Sequence, residues 1–199
     1  MAASRPARTP KDERQEQVRA RIVEAARELF ETKGAAGLSI RAIAARAGLP
    51  AMTLYSYFPN KMAIVRALWS LAFDPLFAQM HAIEAAEPEP KARLRKVAQA
   101  YVDYWLSHPD RYRIVYTIED RRESGQDQWF IEETDVIAAH MRFGQLIAAA
   151  RGDPQGDDRI RAEALICALT GVAHMLIGVS EYPWRSSDRY VEAILAGFC

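Results

Sequence analysis

The stretch SIRAIAARAGLPAMTLYSYFPNK, residues 39–61, admits very few folds. After Ser39, a residue suited to cap a helix start, Ile40, Ile43, Ala44 and Ala47 recur at helical spacing. Ala42 stands at the third helical position, so the capping box is incomplete. Gly48-Leu49-Pro50 interrupts the pattern, with Pro50 placed to open a new helix, and Leu54 and Phe58 follow four residues apart. Two short helices joined by a glycine-containing turn make a helix-turn-helix, here with elements at 39–46 and 50–57. Ile40, Ile43, Ala44, Leu49, Leu54 and Phe58 are its inward positions. Arg41, Ala51, Met52, Thr53, Tyr55, Ser56 and Tyr57 are left facing out.

The flanks agree with that unit. From Asp12 to Lys33, Val18, Ile22, Ala25, Ala26, Leu29 and Phe30 form one helical stripe, which Gly34 ends as a C-cap glycine does. Ahead of it, residues 1–11 read as a flexible arm with Arg5 and Arg8. The formal net charge of the 199-residue chain is zero, but Met1–Arg66 holds 12 of the 26 Lys and Arg and 6 of the 26 Asp and Glu. That third is net +6 and the remainder net −6, so a polyanionic partner suits the amino-terminal part alone.

A recognition helix lies in a major groove about 12 Å wide, with phosphates along both rims. A tyrosine there sets its hydroxyl on a phosphate while its ring packs on sugar, which holds register without reading sequence. Lys61, at the start of the next helix, adds a charge and a helix N-terminus for a further phosphate.

Residues 39–68, SIRAIAARAGLPAMTLYSYFPNKMAIVRAL, resemble the DNA-binding segment of the tetracycline-repressor (TetR) family of bacterial regulators. Tyr55, Phe58, Asn60 and Lys61 supply the family's Tyr-x-x-Phe-x-Asn-Lys ending, and the resemblance is close over about residues 14–68. It implies a homodimer on a double-stranded DNA operator, and a divergent second domain whose small-molecule ligand releases the DNA. Transferred by position, Ser39, Tyr55, Tyr57 and Lys61 contact phosphates, while Arg41, Ala51, Met52 and Thr53 face base edges. Ala51 and Met52 offer only apolar contacts, such as to a thymine methyl. Hydrogen-bond readout therefore rests on Arg41 and Thr53, and groove shape and the arm gain weight.

The rest of the chain reads as helical: a long helix from Asn60 with Pro75 inside, a linker at 87–90, a helix over 91–107, a short one begun by Pro109 and containing Tyr112, Ile114, Val115 and Tyr116, and helices over 128–150, 159–180 and 187–198. Residues 119–127 read as a polar loop. The expected architecture is all-α, about nine helices, with the helix-turn-helix domain over 12–59 and a ligand-binding and dimerisation domain over 60–199. Aromatic and polar side chains of that second part make a pocket for an apolar or aromatic effector. The candidates are Trp69, Phe73, Tyr101, Trp105, Tyr116, Trp129, His140, Phe143, Thr170 and His174. The segment 159–180 is apolar nearly all round and is expected to be buried on both faces, one toward the pocket and one toward a partner subunit. With 187–198 it forms the four-helix dimer interface that the resemblance implies.

Two cysteines, Cys167 and Cys199, build neither a disulfide framework nor a zinc site, which suits a reducing cytoplasm. MAASRPARTP has no signal-peptide core, and residues 164–180 are slightly short for a membrane span, so no membrane partner is expected. No cofactor, metal or catalytic residue is expected either. Gly178-Val179-Ser180-Glu181-Tyr182 lacks the second glycine of a nucleophile elbow, and no His-Glu-x-x-His or phosphate loop occurs. A helical enzyme is one alternative, and these absences argue against it. A J-domain-like cochaperone is another, since His108-Pro109-Asp110 is similar to that family's loop tripeptide, although a plain helix break accounts for it equally.

Overall fold

The computed structural model describes residues 9–118, 136–153 and 159–198, with the side chains of 136–140 excepted. The polar loop expected at 119–127 and the first part of the helix expected at 128–150 lie outside these residues, as do Arg5 and Arg8. Within them are nine α-helices and no strand, so the chain is all-α as read. They are α1 (Pro10–Lys33), α2 (Ile40–Arg46), α3 (Ala51–Tyr55), α4 (Lys61–Ala86), α5 (Pro90–Ser107), α6 (Pro109–Thr117), α7 (Val136–Arg151), α8 (Arg159–Gly178) and α9 (Ser187–Leu195). The chain divides into two compact units, one ending at Trp69 and one beginning at Ser70.

In the first unit, α1 starts two residues earlier than expected. Thr9 and Asp12 form a reciprocal capping box, and Pro10, read from sequence as part of the arm, is the first helical residue. Ile22, Val23, Ala26, Leu29 and Phe30 bury its inner face. Gly34 closes it at φ 64°, a conformation that favours glycine. Ser39 caps α2 through its Oγ, which accepts from the Ala42 amide at 3.2 Å. Ile43, Ala44 and Ala47 pack inward, and Gly48 at φ 65° turns the chain into α3. That helix has five residues rather than the eight expected, because Ser56 already caps it and Tyr57 lies in the following turn. Leu54 and Phe58, 0% and 1% exposed, fasten it to the core, whereas Ile40 and Leu49, also expected inside, are half-buried.

The second unit is organised by α5, which packs against α6, α7, α8 and α9. Glu89 caps it by accepting from the amides of Lys91 and Ala92, and Leu94, Val97, Tyr101 and Trp105 are wholly buried along it. Gln99 and Asp103 of α5 both bond Ser187 Oγ, fixing the start of α9. Pro75 lies within α4, which continues through it.

Helix α8 is long and apolar enough to cross a membrane by length and composition alone, and it was expected to be covered on both faces, one of them by a partner subunit. Within the subunit only one stripe is buried, Ala162, Leu165, Leu169 and Ala173. Ile160, Cys167 and Met175 are exposed, as is Val179 just past its end. Apolar periodicity reports what a face prefers; it does not report whether the same subunit supplies the cover.

Leu54→Ala should remove the main anchor of α3 and destabilise the first unit by about 2–5 kcal/mol, the usual cost for a fully buried leucine. Denaturant unfolding followed by circular dichroism checks it; a loss under 1 kcal/mol would mean that Leu54 does not hold the turn.

Candidate functional site

The exposed side of the helix-turn-helix is built from short pieces with fixed ends. On α3, Met52 and Tyr55 are one turn apart, 79% and 49% exposed, opposite the buried Leu54. Ala51 and Thr53 flank them half-buried, and Tyr57 beyond the helix is also half-buried. Ser39 and Arg41 are exposed at the start of α2. Ser39 Oγ accepts from an amide as a cap, so its own proton is left to donate outward. Asn60 caps α4 by accepting from the Ala63 amide at 2.8 Å, which places Lys61 in the first turn at the positive end of that helix. Arg46, by contrast, is engaged with Glu28 of α1 at 2.5 Å.

One contributor escapes a reading of the sequence. Arg19 of α1 donates from Nη1 to the Tyr57 carbonyl at 2.5 Å, and its guanidinium sits 4.2 Å from the centre of the Phe58 ring. It thus ties the end of the α3 segment to α1 across 38 residues of chain. Its only linear signal is a position just off the apolar stripe of α1, which any solvated arginine shares.

The second candidate region is an aromatic cluster in the second unit. Trp105 has 0% exposure, and Phe73, Tyr101, Tyr104, Tyr112 and Tyr116 meet it edge-on with ring centres 5.1–6.2 Å away. Phe143 packs against Tyr101 from the other side at 6.0 Å. The Tyr101 hydroxyl bonds both Tyr116 Oη at 2.8 Å and Thr170 Oγ1 at 2.9 Å. Tyr112 Oη pairs with His174 Nδ1 at 3.0 Å. Burial pushes the Tyr101 phenol up, outweighing its two hydroxyl partners, and lifts Tyr112 to about 12. Tyr116 is 37% exposed as a residue, but its hydroxyl end is enclosed, and burial there raises its phenol well above the ordinary value. All three therefore keep their protons at neutral pH. Among the described residues the buried Trp105 Nε1–H has no hydrogen-bond partner, a state that costs on the order of 1–3 kcal/mol.

Of the residues expected to bind a ligand, Phe73, Tyr101, Trp105, Tyr116, Phe143, Thr170 and His174 fall in the second unit and are linked through these contacts. Trp69 is buried but belongs to the first unit. Trp129 lies outside the described residues, and His140 is described only in its backbone. Tyr104 and Tyr112, outside that candidate set, also face Trp105.

Residues 22–68 match the model for bacterial regulatory proteins of the tetR family, and residues 94–198, over half of the chain, match the model for a tetracyclin repressor-like C-terminal domain. The protein is a member of the TetR family. It carries the helix-turn-helix and the helical second part of that family. An HTH-type transcriptional regulator EthR of Mycolicibacterium smegmatis is 32% identical over 110 residues, 53% of this chain and 47% of that protein. The transcriptional activator FasR of the same organism is 28% identical over 109 residues, 55% of this chain and 48% of that one. The TetR-family chain thus spans about half the length of the curated relatives it matches. Among solved structures, the transcriptional regulator FadR from Bacillus subtilis, in complex with stearoyl-CoA, shares the fold at TM-score 0.67 and 17% identity, covering 89% of this chain and 95% of that one.

Arg19→Ala is expected to weaken DNA binding several-fold without changing the slope of log affinity against log salt, because Arg19 braces a carbonyl instead of a phosphate. Titrations at four salt concentrations check this. A slope smaller in magnitude by about 0.9 would make Arg19 itself a phosphate contact.

Proposed function

We propose that this regulator is a repressor that binds a near-palindromic operator as a homodimer and leaves it when a small, largely apolar or aromatic effector enters the second unit. The carrying observation is the exposure of Met52 and Tyr55 on a helix whose opposite side is fully buried, because exposed large side chains on so short an element have no packing role. Ser39, Tyr55, Tyr57 and Lys61 hold phosphates; Arg41, Ala51, Met52 and Thr53 face the bases, with Thr53 half-buried. Two such heads sit in successive major grooves, about 34–36 Å apart.

The uncovered side of α8, with Ile160 and Met175 exposed, supports pairing of two subunits through α8 and α9. The aromatic cluster around Trp105 supports an apolar effector, and the stearoyl-CoA bound by the Bacillus subtilis FadR is a precedent for such ligands on this fold. Effector release of DNA requires differential affinity for two states, with a typical coupling of about 1–3 kcal/mol. A cytoplasmic protein without catalytic activity fits all of this.

Selecting bound fragments from the genome of origin, followed by a reporter assay, tests the reading. One palindromic site should emerge, and deleting the regulator should raise transcription from it; a fall would make it an activator. Lys61→Ala should weaken operator and random DNA alike and reduce the salt slope by about one charge. Thr53→Ala or Arg41→Ala should instead cost roughly 1–3 kcal/mol of discrimination at defined bases. An unchanged base preference in both variants, measured by selection from random DNA, would remove their assignment.

A further inference from the structure

At the tip of the helix-turn-helix, one side chain has a chemistry that the phosphate clamps around it lack. Met52 is the second residue of α3 and is 79% exposed, more than any other large apolar side chain described. Its neighbours do not reach as far: both Ala51 and Thr53 are shorter and half-buried. The helix cannot roll to hide Met52, because Leu54, two residues on and on the opposite side, is 0% exposed. Covering Met52 within its own unit would bring Leu54 out into water.

In a helix-turn-helix the first residues of the second helix are those that meet base edges. A thioether has no proton to donate and is a weak acceptor, so it makes no useful pair with the polar atoms of a base. Set against guanine N7 and O6 or the cytosine amino group, it strips their water and returns no hydrogen bond. The major groove displays one apolar group, the C5-methyl of thymine. Methionine, unbranched and polarizable, can fit its terminal methyl to so small a target.

We propose that Met52 reads the C5-methyl of a pyrimidine, once in each half-site, and that the group recognised is the methyl rather than the base that carries it. Thymine supplies that methyl in ordinary DNA, and 5-methylcytosine presents the same substituent on a C·G pair. This rests on the reading of the helix-turn-helix as the DNA interface. Ala51 and Thr53 also carry methyl groups, and the behaviour of Met52→Ala separates them from Met52.

The test starts from duplexes that the full chain selects out of a random-sequence library, so that the preferred site is known. Synthetic duplexes of that site then carry deoxyuridine, which lacks only the methyl, in place of each thymidine in turn. One position in each half-site is expected to weaken binding about four-fold when altered, the factor that one buried methyl-sized group is worth. With that T·A pair exchanged for C·G, 5-methylcytosine should bind about four-fold better than cytosine for the same reason. Met52→Ala should bind thymidine and deoxyuridine duplexes equally, whereas Met52→Leu should keep most of the difference. Circular dichroism should show both variants folded like the parent, as suits a side chain outside the core. If no thymidine is sensitive, or the sensitive one stays sensitive in Met52→Ala, the assignment to Met52 is overturned while DNA binding stands. No gain from 5-methylcytosine over cytosine overturns it equally. If the full chain selects no duplex at all, the DNA-interface reading falls together with it.

Discussion

A helix of five residues cannot sustain itself in water, because the cost of nucleation is spread over almost no hydrogen bonds. The form of α3 is lent to it by Leu54 and Phe58, which are sealed into the core of the first unit, and by Arg19, which grips the Tyr57 carbonyl from α1. Everything presented on the outer side inherits its placement from that internal anchorage. Pinned from beneath toward its carboxy-terminal end, a short rod can expose bulky side chains without collapsing onto them.

The second unit solves a different problem. Its centre is aromatic and fully packed, yet it encloses hydroxyls and an indole N–H that a purely structural core would avoid. Phenols raised in pKa by burial keep those groups as donors over the whole physiological range. The polar atoms are few and clustered, so they constrain what can lie against them far more sharply than the surrounding rings do.

Much of this was legible in the linear chain, for local reasons. Ser39 as a cap, Gly34 and Gly48 as turns, and the 3–4 spacing of α1 and α5 all follow from interactions within a few residues. Element ends were less so: Pro10 reads as arm or helix start until the Thr9–Asp12 box is seen, and α3 ends at Tyr55 where an unbroken run of residues looks able to continue. What sequence could not supply was the pairing of distant side chains. Arg19 with Phe58, Tyr101 with Thr170 and Tyr112 with His174 depend on helix packing. Nor could it show that α8 is covered on one side only, since both faces carry apolar residues and the pattern is blind to which neighbour is present.

The wet side of α8 has a practical consequence. A twenty-residue helix that presents Ile160, Met175 and, just past its end, Val179 to solvent makes an isolated subunit adhesive. On the proposed pairing of subunits through α8, dilution below the level at which they meet would expose that surface to vessel walls and to other hydrophobic proteins. Handling losses should therefore worsen as stocks become weaker, the reverse of ordinary precipitation.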